Sequence, residues 1–175
     1  MNNQEKNSYV RKQILITLLD MMKTEDFNSI VISRLVQKAE IGRASFYRNY
    51  TSKEDVLWQE SARLKTEFEA SYAEDDPSDI RRRLIRTLDF FKKHSEFYLT
   101  IYGAGLAQII QDFIVDKNAI TPDAPSVMAY ALSAFSYLIY GWVIEWTRRG
   151  MAESVDEILA MFEKQNNSAS STVKI

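Results

Sequence analysis

The sequence predicts an all-α fold: an N-terminal three-helix helix-turn-helix head on an antiparallel helical body, closing on a C-terminal pair of helices suited to dimerisation. Three observations predict it. The 175 residues include only five Gly and three Pro, and none of the Pro lies in residues 1–76, too little turn chemistry for a sandwich or barrel. Apolar side chains recur at helical spacing along most of the chain. An apolar share of 46% with 26% charged residues is an ordinary globular balance and argues against global disorder. Zero Cys exclude disulfides and thiolate metal sites, and a single His, His94, excludes His-pair metal motifs, so no metal and no cofactor is expected.

From Ser8 to Lys23, the residues Ile14, Leu15, Leu18, Leu19 and Met22 mark one face of a first helix. After a polar break at Thr24-Glu25-Asp26, a second apolar set follows: Ile30, Ile32, Leu35, Val36 and Ala39. Ile41-Gly42 then leads into a short helical block, Arg43–Tyr50. Thr51-Ser52-Lys53-Glu54 reads as a capping box in which the Thr51 hydroxyl accepts from the Glu54 backbone and the Glu54 carboxylate reaches back. A long helix from about Ser52 to Tyr72 starts there.

Glu74-Asp75-Asp76-Pro77-Ser78 is the clearest boundary, and a helix from about Asp79 to Lys93 follows, with Leu84, Leu88 and Phe91 on one side. Arg81, Arg82, Arg83 and Arg86 at its start are expected to pair with Glu74, Asp75, Asp76 or Asp79, and His94 to lie exposed at its end. An aromatic stretch, Phe97–Val115, is interrupted at Gly103 and Gly105, and Thr121-Pro122-Asp123-Ala124-Pro125 forms the second boundary. An uncharged helix then runs to Arg149 with Gly150 as its C-cap, and a last helix spans about Glu153 to Glu163. The domains expected are 1–51 as the helix-turn-helix head, 52–164 as the body and 165–175 as a flexible polar tail.

Val127–Ile144 is 18 residues without a charge, near the minimum for a bilayer span. Ser133, Ser136, Tyr130, Tyr137 and Tyr140 dot it, so a helix buried on most sides of a soluble protein is the expectation. Met1–Lys12 has no secretory pattern, which predicts a cytoplasmic protein with no membrane partner.

The net charge of −2 does not announce nucleic acid, but it is unevenly distributed. Residues 28–53 set Arg34, Lys38, Arg43, Arg48 and Lys53 against Glu40, a net of +4, while residues 61–175 carry a net of −3. A small basic head on an acidic body follows. Within that head, Phe46 and Tyr50 lie four residues apart and can pack against Leu35, Val36 and Ile41. Ala44, Ser45 and Arg48 fall on the other side, with Arg43 and Tyr47 at its margin. An arginine can bond a guanine edge through two donors and a methyl can touch thymine, which suits a helix laid in a major groove. Lys53, at the start of the next helix, is placed to face a phosphate, and Tyr47 adds a hydroxyl to the same backbone.

The stretch LVQKAEIGRASFYRNYTSKEDVL resembles the helix-turn-helix signature of TetR/AcrR-type transcriptional regulators, above all in Phe46-Tyr47-x-x-Tyr50 and Ser52-Lys53-Glu54-Asp55. The similarity covers about residues 10–60. It implies a homodimer that binds a double-stranded DNA operator, with a small-molecule pocket in the body and an interface made by the last two long helices. Carried over by position, the residues near DNA are Ser33, Arg43, Ala44, Ser45, Tyr47, Arg48 and Lys53, with Asn49 beside them. Three positions depart from the family pattern. Val31 stands where a Thr cap is common, Glu40 where a Gly makes the turn, and Gly42 where Ser usually caps.

In the body, Phe91, Tyr98, Tyr102, Phe113, Tyr137 and Tyr140 are candidates for an effector cavity, whose ligand would be apolar or aromatic. Small residues on the uncharged helix and Val155, Ile158, Leu159 and Phe162 on the last one suit a subunit interface, with Ser133, Tyr137, Gly141, Ile158 and Phe162 as its candidates. No Gly-rich phosphate loop and no nucleophile near a His is present, so catalysis has no support. The expected function is a ligand-responsive, sequence-specific DNA-binding regulator, with repression as the default. The competing reading is a non-DNA-binding relative that acts as a coregulator through a protein partner.

Overall fold

The computed structural model describes residues 3–71, 80–115 and 125–172, with side chains for 5–71, 81–115 and 125–165. Every element in the described residues is helical. The acidic boundary at residues 74–78 and the segment 121–124 lie outside them. The chain divides into two compact units, Met1–Tyr72 with Thr100–Phe113 and Ala73–Leu99 with Ile114–Ile175.

In the first unit, α1 (Asn3–Met22) buries Ile14, Leu18 and Met21, one side of the helix at the spacing of its turns. The polar break after it is a single 3-10 turn, Phe27–Ser29, capped by the Asp26 carboxylate, which accepts from the Asn28 N–H at 2.7 Å. Short helices α2 (Ile32–Lys38) and α3 (Arg43–Tyr47) follow, and α1 packs on both. The long α4 (Lys53–Ser71) packs on α1 as well. Its capping box is shifted one residue from the expected register. Asp55 N–H donates to the Ser52 hydroxyl at 3.2 Å, and the Asp55 carboxylate accepts from Thr51 N–H at 2.8 Å and from its hydroxyl at 3.1 Å. The reason is that the helix begins at Lys53, so Ser52 is the N-cap and Asp55, not Glu54, is the third helical residue. Those bonds, the Thr51 N–H first, hold the Asp55 carboxyl below the usual carboxylate range.

Also in this unit is α7 (Ala107–Ile114), whose Phe113 ring lies 5.6 Å from that of Phe68 on α4. The break at Gly103 and Gly105 is the end of α6 (Ser95–Gly103).

The second unit contains α5 (Ile80–Lys93), α8 (Ser126–Arg148) and α9 (Val155–Thr172), with α5 packed on both of the others. Its core includes Leu84, Leu88, Val143 and Trp146. Arg81 pairs with Glu163 on α9 at 2.8 Å, and the acidic boundary expected to pair with the arginines lies outside the described residues. Three expectations are corrected here. α9 runs to Thr172, where the last helix was expected to end near Glu163. His94 is half-buried, its ring 4.5 Å from Phe90, not an exposed helix end. Lastly, the most apolar 18-residue window of α8 is only 11% buried, so this helix is not enclosed by its own chain. By length and composition it is apolar enough to cross a membrane.

Three helices end in the same hydrogen-bonded motif. After α2, Glu40 N–H donates to Gln37 O at 3.1 Å and Ile41 N–H to Val36 O at 2.9 Å. The same pair of bonds forms at Gly105 and Leu106 after α6, and at Gly150 and Met151 after α8. The motif requires a left-handed residue, and φ is 77° at Gly105, 74° at Gly150 and 55° at Glu40. Of these three positions only Glu40 carries a Cβ, and Met151, directly after Gly150, is a second non-Gly residue at positive φ, 51°. Glu40→Gly is expected to raise stability by about 0.5–1 kcal/mol by relieving the backbone. A urea melt checks it, and a lower midpoint would contradict the strain.

Candidate nucleic-acid interface

α3 is five residues long, too short to hold itself together, so its orientation is decided by what it buries. Phe46 is 0% exposed and Tyr50, just past the helix, is 5% exposed, their ring centroids 5.8 Å apart. Leu35, Val36 and Ala39 on and after α2 are buried in the same unit. Burial pushes the Tyr50 phenol up, an effect opposed by the Arg11 guanidinium lying 5.4 Å from its ring.

With the rings inward, Arg43, Ala44, Tyr47 and Arg48 are exposed and Ser45 is half-buried. Ser33 on α2 is exposed too. Tyr47, 49% exposed, leans edge-on against Phe46 at 5.3 Å. Arg43 lies 5.8 Å from the Tyr47 ring, and Arg48 donates to the Ser45 hydroxyl at 2.7 Å. Among the described residues neither arginine pairs with a carboxylate, so the face keeps its positive charge while both guanidinium groups are steadied by neutral neighbours. Arg34 is different: it pairs with Glu25.

Two of the expected contacts are turned to internal use. The Asn49 side-chain amide donates to Ser45 O at 2.9 Å, closing the end of α3. Lys53, expected to face a phosphate, directs its ammonium at the carbonyls of Phe27, Ile30 and Asn28, at 2.5, 2.9 and 3.2 Å. Sequence reasoning missed Gln59, which accepts from Arg11 at 2.8 Å and donates to Asn49 O at 3.1 Å. Nothing in the spacing of the chain marks a glutamine two turns into α4 as the link between α1 and the end of α3. The family departures appear as expected: neither Val31 before α2 nor Gly42 before α3 supplies a side-chain cap.

In the second unit, Phe91 and Tyr98 are fully buried and stacked at 4.1 Å. Tyr140 is half-buried. Tyr137, Gly141 and Ile158 come together in a groove of about 580 Å³ along α8 and α9, which Trp142, Trp146 and Met161 also line. Phe162 on α9 is buried, edge-on to Trp142 at 5.6 Å, and Ser133 is half-buried further along α8. In the first unit Tyr102 is half-buried and Phe113 packs on Phe68.

Every element among the described residues is helical, and the first unit presents a helix-turn-helix with a cationic outer face. That fold is TetR-like. The chain aligns over 97% of its length, and 95% of the other, with Lin0861 from Listeria innocua at a TM-score of 0.75 and 15% identity. A protein from Syntrophomonas wolfei assigned to the TetR-family transcriptional regulators aligns over 99% of both chains at a TM-score of 0.59 and 19% identity. The dihydroxyacetone kinase operon activator DhaS aligns over 91% of this chain and 95% of its own, at 0.55 and 17%. No family model and no curated protein matches the sequence.

Proposed function

We propose that the chain is a sequence-specific DNA-binding transcriptional regulator of the TetR/AcrR type, not an enzyme, acting as a cytoplasmic homodimer that a small-molecule effector releases from its operator. One observation carries this reading: Arg43 and Arg48 project outward without carboxylate partners among the described residues, while Phe46 and Tyr50 anchor the helix from behind. Ser33, Ala44, Ser45 and Tyr47 complete the face offered to a major groove, with the arginines reading base edges and the hydroxyls contacting backbone. The head would comprise residues 1–51 and the body 52–164.

The dimer reading rests on α8. Val127, Met128, Tyr130, Tyr137, Leu138 and Met161 are exposed large apolar residues on α8 and α9, an arrangement a soluble monomer rarely maintains. A second copy laid against the Tyr137–Gly141–Ile158 groove would cover them and space two heads along a near-palindromic site. The effector, apolar or aromatic, would act by favouring a head spacing that no longer matches the DNA. Repression is the default direction of control, and DhaS is an activator by name.

The test is a mobility-shift titration against the chain's own upstream DNA at two salt concentrations. Tight binding that weakens steeply with salt is expected, with Arg43→Ala costing about 1–3 kcal/mol and relaxing sequence preference. Sedimentation should return about twice the 20.3 kDa chain mass. Absence of binding at both salts, or indifference to Arg43→Ala, would favour the coregulator instead.

A further inference from the structure

We propose that Lys53 is a positioning residue that locks α4 onto the segment leading into the helix-turn-helix, and is not a phosphate ligand. The inference rests on the DNA-binding reading above and concerns how the same site is held. An ammonium has three N–H donors and no acceptor, and here three carbonyls receive them: Phe27 O, Ile30 O and Asn28 O. The same nitrogen lies 4.5 Å from the centroid of the Phe27 ring, a cation–π contact with a ring that is itself buried. Four interactions from one side chain leave nothing to offer a phosphate unless the seat is given up.

The turn needs that seat. Asp26 satisfies the front of the 3-10 turn, and Ser29 N–H and Ile30 N–H donate back to Asp26 O and Phe27 O. Lys53 takes up carbonyl capacity at Phe27, Asn28 and Ile30, and Val31, the N-cap of α2, has no polar side chain to contribute. The lysine arrives from 23 to 26 residues further along the chain to fill the gap.

α4 also holds the other end of the reader. Asp55 binds Thr51, and Gln59 binds Asn49 O directly after α3. The first two turns of α4 therefore grip the helix-turn-helix before α2 and after α3.

The experiment compares the full chain with Lys53→Arg and Lys53→Met, reading amide hydrogen exchange at Ser29 and Ile30 alongside operator affinity and its salt slope. Arginine keeps the charge but its planar fork does not reproduce three converging ammonium bonds. Both variants are expected to exchange at those amides about tenfold faster or more, and to bind DNA about tenfold more weakly with the salt slope unchanged. The proposal is overturned if Lys53→Arg binds like the parent, or if Lys53→Met alone loses about one unit of salt slope per protomer while both amides stay protected. Should the parent chain bind no DNA, the regulator reading fails, and the exchange rates still decide the clamp. If Lys53→Met does not fold, the arginine variant carries both readouts.

Discussion

Phe46→Ala is expected to abolish DNA binding and to cost about 3–5 kcal/mol, because it removes the one fully buried side chain of a five-residue helix. A helix that short has no stability of its own, so packing supplies all of it. Without the Phe46 ring, Tyr50 loses its partner at 5.8 Å and Tyr47 its edge contact at 5.3 Å. The outward direction of Arg43 and Arg48 is then no longer imposed. Urea denaturation measures the stability term and a mobility shift the functional one. Tyr47→Ala, at a half-exposed position, is the control and should cost less than about 1 kcal/mol of stability. Equal losses for the two would mean that α3 is not anchored through Phe46.

Trp146→Ala should be the most damaging single change in the second unit, again about 3–5 kcal/mol. Its ring is 1% exposed, and its indole N–H donates to Glu153 O at 3.1 Å, across the turn between α8 and α9. Lys92 on α5 lies 5.6 Å from the same ring and donates to Met151 O at 2.6 Å in that turn. Truncation therefore opens a cavity and orphans a carbonyl together. Trp146→Phe keeps most of the apolar area and loses the hydrogen bond, so about 1–3 kcal/mol separates it from the parent. Because Trp146 also lines the α8–α9 groove, the alanine variant should sediment closer to a monomer if that groove is the subunit contact. A melting temperature unchanged by Trp146→Ala would show that the turn holds without it.

Much of the first unit was legible in the order of residues. The apolar spacing around Ile14 and Leu18, the break at Asp26 and the Phe46–Tyr50 pair each have a local physical meaning. The structure places them as that meaning requires. Even the strained turn was visible, since a Glu at a position that wants Gly states its own difficulty, and φ at Glu40 is 55°. The capping box was legible as a box but not in register, because a run of Thr-Ser-Lys-Glu-Asp offers two equivalent starts one residue apart. The start of α4 at Lys53 decides between them.

The long side chains and the uncharged helix were the limit. Lys53 has a flexible four-carbon stem, and its nearest carbonyls come from residues 27–30, which are far off in the chain and close only once α1, α2 and α4 have packed. Likewise, the 18 uncharged residues from Val127 read as a helix buried on most sides, and local spacing does not separate a core from a subunit face. Local spacing determined where this protein is helical and which side of α3 turns inward, since both follow from a 3.6-residue period acting on neighbours. Which acceptors hold Lys53, and that few residues of the apolar window of α8 are buried, were decided only by tertiary structure, since these depend on distances between segments that no local pattern encodes.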